Sequence, residues 1–278
     1  MKVVILSTEQ PNQIALCHKL SADCELLAVV FSRNQITPPK STVTRLQTFV
    51  DRASVRVLGH PLLRAWEQLQ RSYRTCYPAP PQVPSTVVRN INDPETTRVL
   101  REYSPDLIVV SGTNLIGRRT IDSAPPDSRW LNLHTGLSPY IRGGPNCTNW
   151  CLAERLFGLI GNTVMWLDDG IDSGDLIATE RTPLDGSETL FELHWKVMEH
   201  AHDLCCRVVR RIAAGQAVTS VPQRTIDRGR TFYNRQWNGV AARRALAGFR
   251  RDYPAYFAAN TASAIEAGLR LVPLDAPR

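Results

Sequence analysis

The stretch KVVILSTEQPNQIALCHKLSADCELLAVVF, residues 2–31, decides the fold class. It holds two short apolar runs, at 2–6 and 25–31, with apolar residues at helical spacing within 14–20 between them. Continuous apolar runs of this length are typical of strands buried on both faces, as in a parallel sheet. The stretch therefore predicts strand, helix and strand, which is the βαβ start of an α/β fold.

The same alternation continues along the chain. Helices are predicted at about 61–74, 92–100, 118–123, 190–214 and 240–251, and strands at 87–89, 106–111, 130–134 and 162–167. We expect a polar, basic connection at 34–58, and the sequence leaves open whether the 34–78 insertion is a lid or a dimer contact. The helix end and charge change near 215 predict a main domain at 1–214 and a basic extension at 215–278.

Composition excludes several classes of protein. The 278 residues are 43% hydrophobic and 21% charged, which is too apolar for a disordered chain. No apolar run approaches the roughly 18 residues that cross a bilayer, so we expect no membrane partner. Seven scattered cysteines without a CxxC pair indicate free thiols, which predicts a cytoplasmic protein.

Positive charge is concentrated near the C-terminus. The formal net charge is +7, yet residues 207–251 alone hold eleven arginines against one acid, Asp227. Such a tract can meet phosphate on RNA, on a nucleotide or on a phosphorylated small molecule. It can equally be a solvated helix face, because arginine is a good helix former.

The block LNLHTGLSPYIRGGPNC, residues 131–147, carries groups suited to acyl chemistry. A strand ending near His134 brings its side chains to the carboxyl edge of the sheet, where open α/β folds bind ligands. Asn132 and His134 are two residues apart in that strand and point to the same side. An amide can donate to an oxyanion while an imidazole handles a proton, although this pair alone also fits a structural histidine.

The block DDGIDSGD, residues 168–175, is acidic and rich in glycine. Four carboxylates in eight residues suggest either a turn or a cation loop. The spacing lacks the length and the terminal glutamate of an EF-hand, so we expect no metal here.

Together, NLHxxLSPxxRG and DxGIDSGD, with His134 and Asp172 38 residues apart, resemble the folate-dependent formyltransferase family. That family includes methionyl-tRNA, glycinamide ribonucleotide and sugar N-formyltransferases. The resemblance covers about residues 86–180 and implies a Rossmann-like, mostly parallel sheet with helices on both faces. It also implies an enzyme that transfers a formyl group from 10-formyltetrahydrofolate to a primary amine, with Asn132, His134 and Asp172 as catalytic residues and no metal.

The resemblance further implies where the two substrates bind. The expected folate pocket is formed by Ser111, Gly112, Thr113, Asn114, Leu115, Ile116, Asp168, Asp169, Gly170 and Ile171. Candidate acceptor-binding residues are Arg142, Asn146, Tyr233 and Trp237. A surface loop charge at Arg142 and a packed hairpin around Tyr233 are the structural alternatives.

Departures from the family pattern favour one acceptor. The loop at 7–13 has no glycine for close approach to phosphate, which disfavours glycinamide ribonucleotide. The extension is shorter than the tRNA-binding barrel of methionyl-tRNA formyltransferases. We therefore expect a nucleotide-linked amino sugar, with arginines for its diphosphate and aromatics for its base.

Other readings stay open. They are an acceptor of the methionyl-tRNA or glycinamide ribonucleotide type, a hydroxylated ornithine, and a protein that binds RNA or has lost turnover. A nucleic-acid partner is disfavoured, and a homodimer is left open.

Overall fold

The computed structural model describes residues 1–35, 41–168, 170–259 and 268–274. Its strands are β1 (Lys2–Thr8), β2 (Glu25–Ser32), β3 (Ser85–Val88), β4 (Leu107–Ser111), β5 (Arg129–His134), β6 (Ile141–Gly143), β7 (Gly161–Trp166), β8 (Leu176–Arg181) and β9 (Arg230–Phe232). Its α-helices are α1 (Pro11–Ser21), α2 (Thr42–Leu58), α3 (His60–Cys76), α4 (Pro94–Tyr103), α5 (Arg118–Ile121), α6 (Cys147–Glu154), α7 (Leu190–Ala213), α8 (Gly239–Ala247) and α9 (Tyr253–Ala258).

Seven strands form one sheet in the order β3-β2-β1-β4-β5-β7-β8. The first five are mutually parallel, while β7 runs antiparallel to both β5 and β8. Alternate residues of β1 enter opposite cores: Val3 and Ile5 pack with α1 and α7, whereas Val4 and Leu6 pack with α4. This confirms the predicted α/β fold with a mostly parallel sheet and helices on both faces.

The predicted polar connection at 34–58 is wrong for the part that the structure describes, where α2 occupies Thr42–Leu58. Large apolar residues recur at helical spacing in α2, but several of them, including Phe49 and Val57, are exposed and do not face the core. The buried side of α2 faces α8, and Ser54 Oγ accepts a 2.9 Å hydrogen bond from the Gly239 amide. A contact over such a sequence separation leaves no local pattern. Residues 36–40 of the connection lie outside the described ranges.

The C-terminal extension packs against the main body of the fold. Strand β9 pairs in parallel with β6, and α8 packs on α6 and α2. The Tyr253 hydroxyl is buried and donates to Glu188 Oε2 at 2.7 Å. These contacts hold the aromatic segment around Phe232 beside the carboxyl end of the sheet; the division near residue 215 stays a prediction.

No helix that the structure describes is both long enough and apolar enough to cross a membrane.

Candidate active site

A cavity of about 840 Å³ opens at the carboxyl edge of the sheet. Its floor is made by residues at the ends of β1, β4 and β5: Thr8, Ser111 and His134. Parallel strands direct their carboxyl ends to one edge, which is where the topology of such sheets leaves a crevice.

Three of the predicted residues meet in this cavity around one carboxylate. The Asn132 side-chain amide donates to Asp172 Oδ1 at 3.0 Å, and His134 Nδ1 lies 3.4 Å from Asp172 Oδ2. The backbone amide of Gly143 donates to the same Oδ2 at 3.1 Å. Asp172 thus receives an amide, an imidazole and a main-chain N–H, an arrangement that fixes the imidazole with its Nδ1 edge toward the acid.

The other edge of the imidazole faces protein atoms. His134 Nε2 lies 3.4 Å from the Ile141 carbonyl and 3.5 Å from Cys147 Sγ. Burial, with Cys151 and Asp172 nearby, raises the pKa of Cys147 well above its ordinary value. The thiol therefore stays protonated, which does not suit a nucleophilic cysteine. Sequence reasoning missed this contact because Cys147 belongs to a scattered set with no motif.

The predicted folate loop lines the cavity from Ser111 to Ile116. Asn34, which the sequence did not single out, holds the loop in place. Its Nδ2 donates to the Gly112 carbonyl at 2.9 Å, and its Oδ1 accepts from the Asn114 amide at 3.1 Å. The backbone of Gly112 is in the left-handed region, with φ of 71°.

The acidic block forms a turn beside this loop. Asp168 Oδ1 accepts from the Gly170 amide at 3.0 Å and from Ser173 Oγ at 2.8 Å. Asp168, Gly170 and Ile171 line the cavity, while Asp169 lies outside the described residues. Within the described ranges, no three His, Cys, Asp or Glu side chains are placed to hold a metal ion.

Three of the four predicted acceptor residues line the cavity and one does not. Asn146, Tyr233 and Trp237 line the cavity, and Asn146 also caps α6 by accepting from the Asn149 amide at 2.9 Å. Arg142 is not among the lining residues, and its role toward the acceptor stays a prediction that the cavity does not support. Pairing of β6 with β9 turns its guanidinium to the Arg228 carbonyl, 3.0 Å away.

The arginines of the basic segment 207–251 do not line the cavity. Among the described residues that line it there is no arginine or lysine. Several tract arginines are bound to acids on the surface: Arg207 to Glu180, Arg210 to Asp23, Arg244 to Glu154 and Arg251 to Asp252. The first three pairs link α7 or α8 to other parts of the fold, whereas Arg251 and Asp252 are neighbours in the chain.

A further group of residues, unpredicted from sequence, lines the cavity between α3 and α7. We call it the α3–α7 lobe, and it consists of Leu62, Trp66, His194 and Met198. The rings of Trp66 and His194 meet edge to face with centroids 6.0 Å apart. The helix periodicity of 61–74 and 190–214 would have assigned all four to the core.

Burial lowers the pKa of His194 from 6.5 to about 4. Between about pH 6.5 and pH 4, this histidine is protonated in the unfolded chain but neutral in the folded chain. The folded state therefore loses stability as the pH falls through this range. We expect His194→Phe to remove this loss. Relative to the parent, the variant should gain about 2–3 kcal/mol in unfolding free energy between pH 7 and pH 4. Urea unfolding at both pH values measures this gain. If the free energies of unfolding of variant and parent differed by the same amount at pH 7 and pH 4, the burial of a neutral imidazole would be contradicted.

The sequence profile of the formyl transferase family matches residues 53–209, more than half of the chain. A methionyl-tRNA formyltransferase from Syntrophus aciditrophicus (strain SB) is 36% identical over 138 residues, which are 49% of this chain and 43% of the relative. The chain thus spans less than half the length of that relative.

Solved structures share the fold at low identity. A sugar N-formyltransferase from Shewanella sp FDAARGOS_354 aligns with a TM-score of 0.54 and 13% identity, over 88% of each chain. An N-formyltransferase from Helicobacter canadensis, solved with folinic acid and dTDP-3-aminofucose, aligns with a TM-score of 0.55 and 12% identity. That alignment covers 90% of this chain and 80% of the other. At such identities the likeness concerns the fold alone.

Proposed function

Because the chain belongs to the formyl transferase family, whose members are enzymes, we propose that it transfers a formyl group from 10-formyltetrahydrofolate to a primary amine. The observation that carries the proposal is the convergence of Asn132 and His134 on Asp172 inside the cavity. Direct transfer of an acyl group from one nitrogen to another requires a donor for the oxyanion and groups that handle a proton. An amide, an imidazole and a carboxylate can serve these purposes.

The loops beside this triad suit a folate. Leu115 and Ile171 lie on two different loops of the lining, and they are 53% and 42% exposed. Large apolar side chains left open at a cavity offer surface to a flat heteroaromatic ring such as a pterin. Main-chain groups of the 111–116 loop and the Asp168 turn would supply the polar contacts to its edge.

The residues have separate tasks in the transfer. As the amine nitrogen bonds to the formyl carbon, negative charge develops on the formyl oxygen, and the bond from that carbon to the folate nitrogen then breaks. Asn132 gives one amide N–H to Asp172 and retains a second that can donate to this oxygen. Removing such a donor typically slows a reaction by about 10²–10³-fold.

We propose that Asp172, with His134 beside it, takes the proton that the amine loses. Asp172 charge-balances a protonated imidazole through Nδ1, and the folate nitrogen finally receives a proton as it departs. Donation from His134 to the formyl oxygen stays a prediction, because its Nε2 faces the Ile141 carbonyl here. No covalent enzyme intermediate is needed, which agrees with the protonated thiol of Cys147.

For the acceptor, our proposal is the amino group of a nucleotide-linked amino sugar. Phe232 and Trp237 line the cavity and pack on the buried ring of Trp150. Tyr233 is exposed at the rim, with the Arg235 guanidinium 5.4 Å from its ring centroid. An aromatic rim of this kind suits a nucleobase. Because no arginine or lysine is among the described lining residues, we propose that the diphosphate binds at the mouth of the cavity rather than inside it.

A second acceptor is favoured by one observation: a relative at 36% identity is named a methionyl-tRNA formyltransferase. A charged initiator tRNA is therefore the alternative.

The test is a formylation assay with 10-formyltetrahydrofolate and a panel of amines. We expect formylated products, identified by mass spectrometry, from nucleotide-linked amino sugars, with stoichiometric release of tetrahydrofolate. Formylation of initiator methionyl-tRNA without any sugar product would refute the acceptor. Failure of the chain to bind tetrahydrofolate in a fluorescence titration would refute formyl transfer itself.

A further inference from the structure

The α3–α7 lobe and the catalytic residues line the same cavity. Leu62 shares a buried cluster with Cys147, and the Cys147 thiol lies 3.5 Å from His134 Nε2. Trp66 is one turn after Leu62 on α3, so the two side chains lie on the same face of this helix. The folate loops, by contrast, follow β4 and β7.

One polar side chain in the lobe has no hydrogen-bond partner in the part of the chain that the structure describes. His194 is only 3% exposed and lines the cavity, yet no group among the residues that the structure describes is hydrogen-bonded to its ring. Nearby Asn12 differs: its amide donates to Met198 Sδ at 3.5 Å and accepts from Gln70 at 2.9 Å. A buried polar group without a partner costs stability, so an open imidazole at a cavity wall indicates a ligand.

The chemistry of the lobe limits that ligand. A neutral imidazole offers one donor and one acceptor, which match a hydroxyl group. Trp66 offers an aromatic surface, and Leu62 and Met198 are apolar. Within the described part of the lining no arginine or lysine is available to neutralise phosphate, whose burial without a counter-charge is strongly unfavourable.

We propose that the α3–α7 lobe binds the sugar ring of the acceptor, with the ring against Trp66 and one ring hydroxyl hydrogen-bonded to His194. This inference rests on the proposed formyl transfer and makes His194 a residue that determines acceptor specificity. The apolar alternative, a methionyl side chain in the lobe, would leave the imidazole unpaired.

The test compares a nucleotide-linked amino sugar with its analogues that each lack one ring hydroxyl. With the parent enzyme, we expect kcat/KM for one analogue to be about 10–100-fold lower than for the full sugar. That analogue lacks the hydroxyl that pairs with His194, so the imidazole is left without a partner. With the His194→Phe variant, kcat/KM should be the same for this analogue and for the full sugar. His194→Gln, which keeps a donor and an acceptor, should restore part of the discrimination, and Trp66→Leu should raise KM for every sugar.

Tetrahydrofolate binding, measured by titration, shows for each variant that the folded cavity is retained. If parent and His194→Phe discriminate equally among the analogues, or if only methionyl-tRNA is formylated, the inference is wrong while formyl transfer stands. If tetrahydrofolate fails to bind the parent, the proposed function fails, and the inference with it.

Discussion

Replacing Asp172 by asparagine is expected to lower kcat for formyl transfer by about 10³-fold or more. The two carboxylate oxygens accept from Asn132, from the Gly143 amide and from the His134 edge. An asparagine amide would turn an N–H toward one of these donors, and it would supply no charge to balance a protonated His134. The fold should persist, because Asp172 has φ of 48° and asparagine tolerates this left-handed backbone.

Single-turnover kinetics with saturating folate measure the effect, and Asp185→Asn, an exposed carboxylate outside the cavity lining, serves as the control. Residues that act as one unit lose activity non-additively. Hence the double variant His134→Ala with Asp172→Asn should be about as slow as either single variant. Multiplicative losses would mean that the two side chains act independently, contrary to the shared geometry.

The sequence predicted those features of the fold and site that depend on local pattern. Continuous apolar runs located β1, β2 and β4, and residue spacing placed Asn132 and His134 on one side of β5. The order of the two motifs brought Asp172 into the same prediction. The first two inferences needed only apolar runs and strand periodicity, whereas the role expected for Asp172 came from the resemblance of the two motifs to a known family.

What the sequence did not show depends on contacts between distant segments. The lobe residues Trp66 and His194 meet only because α3 packs on α7, and their periodicity is that of ordinary core helices. Arg142 seemed placed for the acceptor because its loop follows His134. Pairing with β9, about 90 residues later in the chain, decides its direction instead.

That pairing leads to the second large effect, which is expected for Gly143→Ala. Gly143 has φ of 86°, and a Cβ there would lie 2.1 Å from the Phe232 carbonyl oxygen. Because the obstacle is backbone, β6 and β9 must separate. The Gly143 amide also donates to Asp172, so this carboxylate loses a hydrogen-bond partner as the strands move. We expect a loss of about 2–4 kcal/mol in stability and about 10²-fold in kcat, since small displacements at a reacting centre cost that much.

Gly215→Ala is the matched control for this substitution. Gly215 has φ of 69°, and nothing lies within 4 Å of a Cβ built there. Alanine at 215 therefore carries the backbone strain alone, about 1 kcal/mol, and should leave kcat unchanged. Urea unfolding and steady-state kinetics of the two variants separate strain from collision. Equal losses in both would show that the β6–β9 contact does not support Asp172, whereas a large loss of kcat only at 143 ties the C-terminal extension to catalysis through one main-chain hydrogen bond.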